Sequence, residues 1–468
     1  MKKTKILLLI CCAAALMLGQ NVRAGEYVKY LPYVNASMSR ASFWSDKEAD
    51  ADRILADSDE IKRLNAKALS EKNAKMCDLK NQPESFDGSA FNAYLSEKLQ
   101  KEKQSLLGWT YNSCGHKAEA DFFDSMIAAA VDPDNAGKSL PVRYAVVSER
   151  SNLRAFPCAE PILDDPQDPD FDYQHYDSLR VNEPLLVYTA SRDKAWYFVK
   201  SLCCSGWVSS SDIAMCKDKA EWLRAWDIPE DRLLVVYGDK IYLEKSNFDG
   251  GLSEKVLTMG TKLELIDAAG DGSLINNRSP YNNYAVVLPE RLKDGSYARK
   301  AALISEHAKV NVGYLPLTKA NIARVAFGAL GNVYGWGGML NTDDCSGFVR
   351  SVYKCFGLEL ARNTVCQAAL PVSSFDLSEL SDAEKENVIR KLPLGAVLFF
   401  KGHEMLYLGS DNGRYYVIDA LSSMLSISGG SKMRVRSVVV NTLDIKRPSG
   451  KTWLSELNLA NIPYSAKP

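Results

Sequence analysis

Histidine is scarce in this chain: His116, His175, His307 and His403 are the only four among 468 residues. Chemistry that needs an imidazole near neutral pH must therefore use one of these four. No grouping of cysteine and histidine has metal-ligand spacing, so neither a zinc site nor any other metal or cofactor is expected. Long apolar runs are also missing. One uncharged apolar stretch, Ile6 to Leu18, is too short to cross a bilayer comfortably, and no later segment is long and apolar enough to be transmembrane. An excess of one charge is lacking too: 57 Lys and Arg stand against 58 Asp and Glu, a formal net charge of −1. Nucleic acid and anionic lipid are therefore not expected partners.

The short apolar run has a role of its own. Met1-Lys2-Lys3-Thr4-Lys5 precedes it and Val22-Arg23-Ala24 follows it. A basic start, an apolar core and a small residue at the cut are the marks of an export signal over residues 1–24, with Gly25 opening the mature chain. Cys11 and Cys12 lie inside the apolar core behind the large Ile10, which argues against a lipid anchor. The destination expected is the periplasm or the extracellular space. Cleavage leaves Cys77, Cys114, Cys158, Cys203, Cys204, Cys216, Cys345, Cys355 and Cys366. That is an odd set, so at least one thiol stays free in an oxidising compartment. Cys77–Cys114, pairs among Cys158, Cys203, Cys204 and Cys216, and Cys355–Cys366 are candidate bridges, and the connectivity stays open.

So long a chain implies several domains. Residues 25–138 read as helical: Ala49 to Ala74 is rich in Ala, Lys, Glu and Leu, Phe91, Tyr94, Leu95 and Leu99 fall at helical spacing, and a third helix covers Asp121 to Val131. From residue 139 the pattern changes to short β runs around Tyr144–Val147, Leu185–Thr189, Trp196–Val199 and Gly206–Val208. This stretch, 139–225, resembles a bacterial SH3 domain through Asn152-Leu153-Arg154, Trp196 and Gly206-Trp207-Val208. A second set of strands, within 226–316, looks like a more divergent SH3-like barrel. The acidic loop Asp164 to Asp170 lacks the Gly and terminal Glu of a calcium loop and reads as solvated surface. Residues 317–468 remain for a C-terminal α+β domain.

That last stretch carries the chemistry. Tyr334-Gly335-Trp336-Gly337-Gly338 opens a glycine-rich turn that ends at Asp343-Asp344-Cys345-Ser346-Gly347-Phe348. Phe348, Val349, Val352, Tyr353 and Phe356 then repeat at helical spacing, so Cys345 lies in the first turn of a helix. Free N–H groups and the helix dipole favour a thiolate there. Of the four histidines, only His403 opens a strand-like run, Glu404 to Gly409. The following run, Tyr415 to Ala420, holds Asp419 among apolar residues. A helix-borne thiol, a strand-borne imidazole and a neighbouring acid are the parts of a cysteine-hydrolase triad. Asp411 could stand in for Asp419 only in another strand register.

These residues resemble the NlpC/P60 family of papain-like cysteine peptidases: Tyr334, Trp336-Gly337-Gly338, Asp344-Cys345-Ser346-Gly347-Phe348, and His403 with Tyr407-Leu408-Gly409. The resemblance implies that Cys345 attacks a peptide carbonyl, His403 moves the proton, and Asp419 takes the third place, where many relatives have a second histidine. Together with the SH3-like stretches, it extends to γ-D-glutamyl-L-diamino-acid endopeptidases. For those it implies cleavage of the D-glutamyl–diaminopimelate bond of peptidoglycan stem peptides or muropeptides, with Tyr334, Asp344 and Ser346 binding substrate. A carboxylate at Asp344 would suit the free amine of an N-terminal L-Ala, although Asp there is also a common helix N-cap. A non-catalytic wall-binding protein, and an amidase or transpeptidase using the same thiol, are the alternatives.

Overall fold

The computed structural model describes residues 30–267, 273–425, 430–447 and 449–466; the expected export signal lies outside them. After a single helical turn at Ala41–Ser45, three longer helices follow: α1 (Ser58–Ser70), α2 (Gly88–Leu106) and α3 (Ala120–Ala130). The helix expected over Ala49 to Ala74 is shorter, because Asp57 caps α1 by accepting from the Glu60 N–H. The residues before that cap dock instead on the C-terminal part of the chain. Lys319 bridges Glu48 and Asp50 at 2.6 Å each, and the Leu55 N–H donates to Leu317 O. Helices α2 and α3 have no core to themselves. Leu95, Leu99, Phe123 and Met126 share one cluster with Phe156, Phe198 and Trp207 of the β unit that follows.

That first β unit has seven antiparallel strands: β1 (Arg143–Val147), β2 (Ser151–Arg154), β3 (His175–Leu179), β4 (Pro184–Ala190), β5 (Trp196–Lys200), β6 (Ser205–Ser209) and β7 (Ile213–Cys216), in the order β3-β2-β6-β5-β4-β1-β7. A second unit pairs β8 (Leu233–Val236), β9 (Lys262–Leu265), β10 (Asn283–Arg291), β11 (Tyr297–Ser305) and β12 (Val310–Val312) in the order β11-β10-β9-β8-β12.

In the C-terminal unit, α4 (Lys319–Phe327), α5 (Cys345–Lys354) and the short α6 (Thr364–Ala368) precede most of a six-stranded antiparallel sheet. Its strands are β13 (Val372–Asp376), β14 (Val397–Phe400), β15 (His403–Asp411), β16 (Arg414–Leu425), β17 (Lys432–Thr442) and β18 (Leu459–Ala466), ordered β13-β18-β14-β15-β16-β17. Side chains alternate across it, as pleating requires. Phe399, Leu406, Leu408, Ile418 and Val440 pack under Phe348, Val349, Val352 and Tyr353 of α5. Leu398, Met405, Tyr407 and Val417 line the other face with Trp453 and Leu457.

Two expectations change. The spacing of its apolar residues implies that α5 is amphipathic with a polar side to solvent, yet it is buried at all ten positions, because its polar side meets ion pairs rather than water. Arg350 reaches Asp177 on β3 at 2.8 Å, and Lys354 reaches Glu359 at 2.8 Å. Second, all nine cysteines among the described residues are free, so none of the candidate bridges is made. Cys77 is buried while Cys114 is exposed, and Cys355 lies in the core under α5 with its Sγ against Ser351 O and Val236 O. Burial pushes the Cys203, Cys216 and Cys355 thiols up to about 12.

Candidate active site

The turn before α5 needs its glycines. Gly337 and Gly338 have φ of 64° and 95°, a region that side chains with a Cβ avoid. β3 also packs directly on them. A Cβ at Gly337 would lie 2.7 Å from His175 Cδ2, and one at Gly338 2.7 Å from Ser178 Cβ. His175 is buried and donates to or accepts from Ser178 Oγ at 3.0 Å, while Ser178 Oγ donates to Gly338 O. Burial first, and then the nearby Arg154, hold this imidazole down to about 3. It is a neutral packing group of the turn. The turn is also tied to β17, through Gly331 N–H to Val438 O and Tyr334 N–H to Arg436 O.

This places Cys345 at the start of α5, 9% exposed. Asp344 is the N-cap, its Oδ1 accepting from the Gly347 N–H at 2.8 Å. Oδ1 also accepts from Ser346 Oγ and an Arg362 N–H, and Oδ2 from Arg362 at 2.8 Å and from the Gly337 N–H at 3.1 Å. Both oxygens are thus engaged inside the protein. Burial would raise this carboxyl, but Arg362 and the Gly347 N–H outweigh it and hold it below the usual range. Ser346 is buried and also accepts from Arg362 at 3.1 Å. Tyr334 is buried against Phe171, ring centroids 5.9 Å apart and nearly parallel, and lies close enough to Cys345 and Asp344 to feel their charges.

His403 and Asp419 meet on the sheet. β15 pairs with β16 through Leu406 opposite Ile418, and continuing that register puts Asp419 one diagonal step from His403 on the same face. His403 Nε2 and Asp419 Oδ2 are 2.6 Å apart, and Asp419 Oδ1 accepts from Asn441 Nδ2 at 2.6 Å. Phe400 and Trp453 flank the imidazole at 5.3 and 5.5 Å. With Nε2 taken, Nδ1 is left for Cys345, whose thiol is within hydrogen-bonding reach of the ring. Burial would lower the His403 pKa, but Asp419 and Cys345 outweigh it and push it up to about 10. Burial pushes the Asp419 carboxyl up, opposed by His403 and Asn441. The alternative acid Asp411 lies at the far end of β15, paired with Lys47 at 2.7 Å.

A thiol at a helix start, an imidazole beside it and a buried carboxylate behind the imidazole form an arrangement suited to acyl transfer through sulfur. The NlpC/P60 family profile matches residues 331–458, and an SH3 profile of the SH3b1 type matches residues 161–209. Residues 331–458 form an NlpC/P60 domain. The chain is a cysteine peptidase of this type, a family made up in general of cell-wall peptidases. Among solved structures, an NlpC/P60 endopeptidase from Photobacterium damselae subsp. piscicida is similar over 89% of this chain and 95% of its own, at 17% identity and a TM-score of 0.68. An NlpC/P60 family protein from Bacillus cereus covers 69% of this chain and 99% of its own, at 16% identity and a TM-score of 0.47. No curated protein matches the chain.

Several residues around the NlpC/P60 site escaped the sequence reading. Asp177 on β3 reaches Arg362 at 2.6 Å as well as Arg350, and so connects the SH3-like unit to the Asp344 cap. The acidic loop is largely exposed, as a solvated loop would be, but Asp168 is buried against Arg436 on β17, and Asp165 and Asp170 lie within ion-pair distance of Arg434 and Arg436. Arg436 also covers Phe171, 4.1 Å from its ring centroid. The alternation of Arg434 and Arg436 on one strand face was the available signal, but it names no partner. Among the described residues no His, Cys, Asp and Glu cluster fits a metal ion, and no helix is long and apolar enough to cross a membrane.

Proposed function

We propose that the chain is an exported cell-wall endopeptidase that hydrolyses the γ-D-glutamyl–meso-diaminopimelate bond of peptidoglycan stem peptides, favouring stems with a free N-terminal L-Ala. The observation that carries this reading is His403 held between Asp419 and the Cys345 thiol. In the scheme, Cys345 Sγ attacks the γ-carbonyl carbon of D-Glu. His403 Nδ1 carries the thiol proton and passes it to the leaving amine of diaminopimelate, which leaves a thioester. Water then attacks the thioester, His403 takes the water proton, and the D-Glu carboxylate departs as the thiol is restored. Asp419 holds the ring tautomer and stabilises the imidazolium. The Cys345 N–H is the oxyanion donor, since the Asp344 cap is directed to Gly347 rather than to Cys345.

Tyr334, Asp344 and Ser346 form the substrate side of the site. Asp344 must share its oxygens between Arg362 and a substrate amine, and the SH3-like unit at 139–225 closes that end of the cleft. The remaining division is 25–138 helical, 226–316 a second SH3-like barrel and 317–468 catalytic. The name of the Photobacterium relative, an endopeptidase, favours this reading over an amidase or a transpeptidase. Mass spectrometry of products from L-Ala-γ-D-Glu-diaminopimelate, its N-acetylated form and longer muropeptides tests it. Release of L-Ala-D-Glu, much faster from the free amine, is expected. Cleavage at the lactyl–alanine bond, or no preference for the free amine, would overturn the assignment.

A further inference from the structure

Glu404 has no part in that scheme, yet it follows His403 directly. Successive strand residues point to opposite faces, so its side chain joins Leu406 and Leu408 on the face under α5. It is 0% exposed, and neither carboxylate oxygen has a hydrogen-bond partner. Phe399 lies opposite it on β14. The polar and charged groups facing it are Thr364 on α6, His403 on its own strand, Asp344 at the start of α5 and Arg362 ahead of α6. Arg362 is already committed to Asp344 and Asp177. The Thr364 hydroxyl is near enough to interact, but in an arrangement that satisfies neither oxygen. That same hydroxyl lies 4.0 Å from Cys345 Sγ.

A carboxylate buried without a partner takes up a proton rather than stay charged. Burial pushes the Glu404 carboxyl up to about 8, against the pull of Thr364 and His403. At neutral pH the group is then an acid with one O–H to donate. We propose that Glu404 is a positioning residue for the nucleophile: as a neutral acid, with its carboxyl turned onto Thr364, it donates to Thr364 Oγ1 and so turns the Thr364 O–H toward Cys345 Sγ, where it stabilises the negative sulfur. The proposal rests on Cys345 being the nucleophile. When Glu404 ionises it becomes an acceptor, draws the Thr364 proton to itself and leaves the sulfur unsupported. Activity then falls on the alkaline side near pH 8, about two units before His403 gives up its proton.

The test is the pH profile of kcat and KM, from pH 6 to 10.5, for wild type, Glu404→Gln and Thr364→Val. The amide of Glu404→Gln still donates but cannot ionise, so its alkaline limb is expected to move from near pH 8 to near pH 10. Thr364→Val breaks the link. It should lose the limb near pH 8 and lower kcat roughly tenfold or more, with KM little changed, as for a lost hydrogen bond to a charged atom. A Glu404→Gln profile that superimposes on wild type overturns the proposal, and so does a Thr364→Val limb still near pH 8 if Glu404→Gln fails to fold. Cys345→Ala separates this failure from that of the underlying reading: hydrolysis surviving in Cys345→Ala removes the nucleophile assignment itself.

Discussion

Replacing Asp419 by asparagine separates what its carboxylate does for stability from what it does for catalysis. Asp419 is 0% exposed, and its two oxygens serve two donors, His403 Nε2 and Asn441 Nδ2, each at 2.6 Å. An amide keeps one acceptor and gains a donor. Asn441 can absorb that change, because its own Oδ1 is buried without a partner. Turning the Asn441 amide over would pair Oδ1 with the new N–H. The variant also no longer buries a charge. Toward pH 10, where the ion pair with His403 no longer contributes, Asp419→Asn should therefore fold with a stability within about 1 kcal/mol of wild type. Asp419→Ala, which leaves both donors unpaired, should lose about 1–3 kcal/mol. Catalysis should respond differently. Without the charge behind it the imidazole loses its hold on the proton, and kcat should fall by roughly 10²–10⁴. The pH response has a definite sign. The His403 pKa is raised to about 10, so its contribution to stability is full below the unfolded value of about 6.5 and is lost as pH rises toward 10. Thermal unfolding of wild type should weaken across that window, and that of Asp419→Asn should stay flatter. Steady-state kinetics and Tm from pH 6 to 10 measure both. A folded Asp419→Asn with kcat within about threefold of wild type would refute the reasoning.

Two further substitutions probe how the SH3-like unit holds the site. Asp177→Asn removes the carboxylate that Arg350 and Arg362 share, leaving Arg362 with Asp344 and Arg350 with Glu183 at 3.9 Å, and should cost about 3 kcal/mol by denaturant unfolding. Arg350 and Arg362 overcome the effect of burial and hold the Asp177 carboxyl well below its usual range. Its contribution is therefore present above about pH 4 and is lost on further acidification, a loss that Asp177→Asn should not show. Gly337→Ala forces a Cβ into a φ of 64° and to within 2.7 Å of His175. It should lower stability by about 1–3 kcal/mol, read as a fall in Tm, and lower kcat by shifting Cys345.

The Cys345 helix and the His403 strand were legible because their marks are local: a glycine turn, helical spacing after the cysteine, and an apolar run after the histidine. The diagonal meeting of His403 and Asp419 followed once two adjacent strands were assumed to pair. Contacts far apart in sequence left no such mark. Asp177 and Arg362 are 185 residues apart, and nothing local in either stretch names the other. Glu404 stood only as the first residue of the run after His403, with no role, because one strand does not reveal what packs on its face. The ion pairs of the exposed acidic loop left no local mark because its arginine partners lie on β17. β13 and β18 were missed because β13 is polar and largely exposed, and Pro463 interrupts β18. The expected oxidising compartment suggested bridges, but a cysteine count contains no distances, and no two members of a candidate pair share a core.

In the proposed scheme one sulfur, Cys345 Sγ beside His403, performs the hydrolysis. The most direct measurement is kcat for L-Ala-γ-D-Glu-diaminopimelate with Cys345→Ala, taken alongside its Tm. A loss of about 10³-fold or more with Tm unchanged is expected. A correctly folded Cys345→Ala that cleaves within about tenfold of wild type would contradict it.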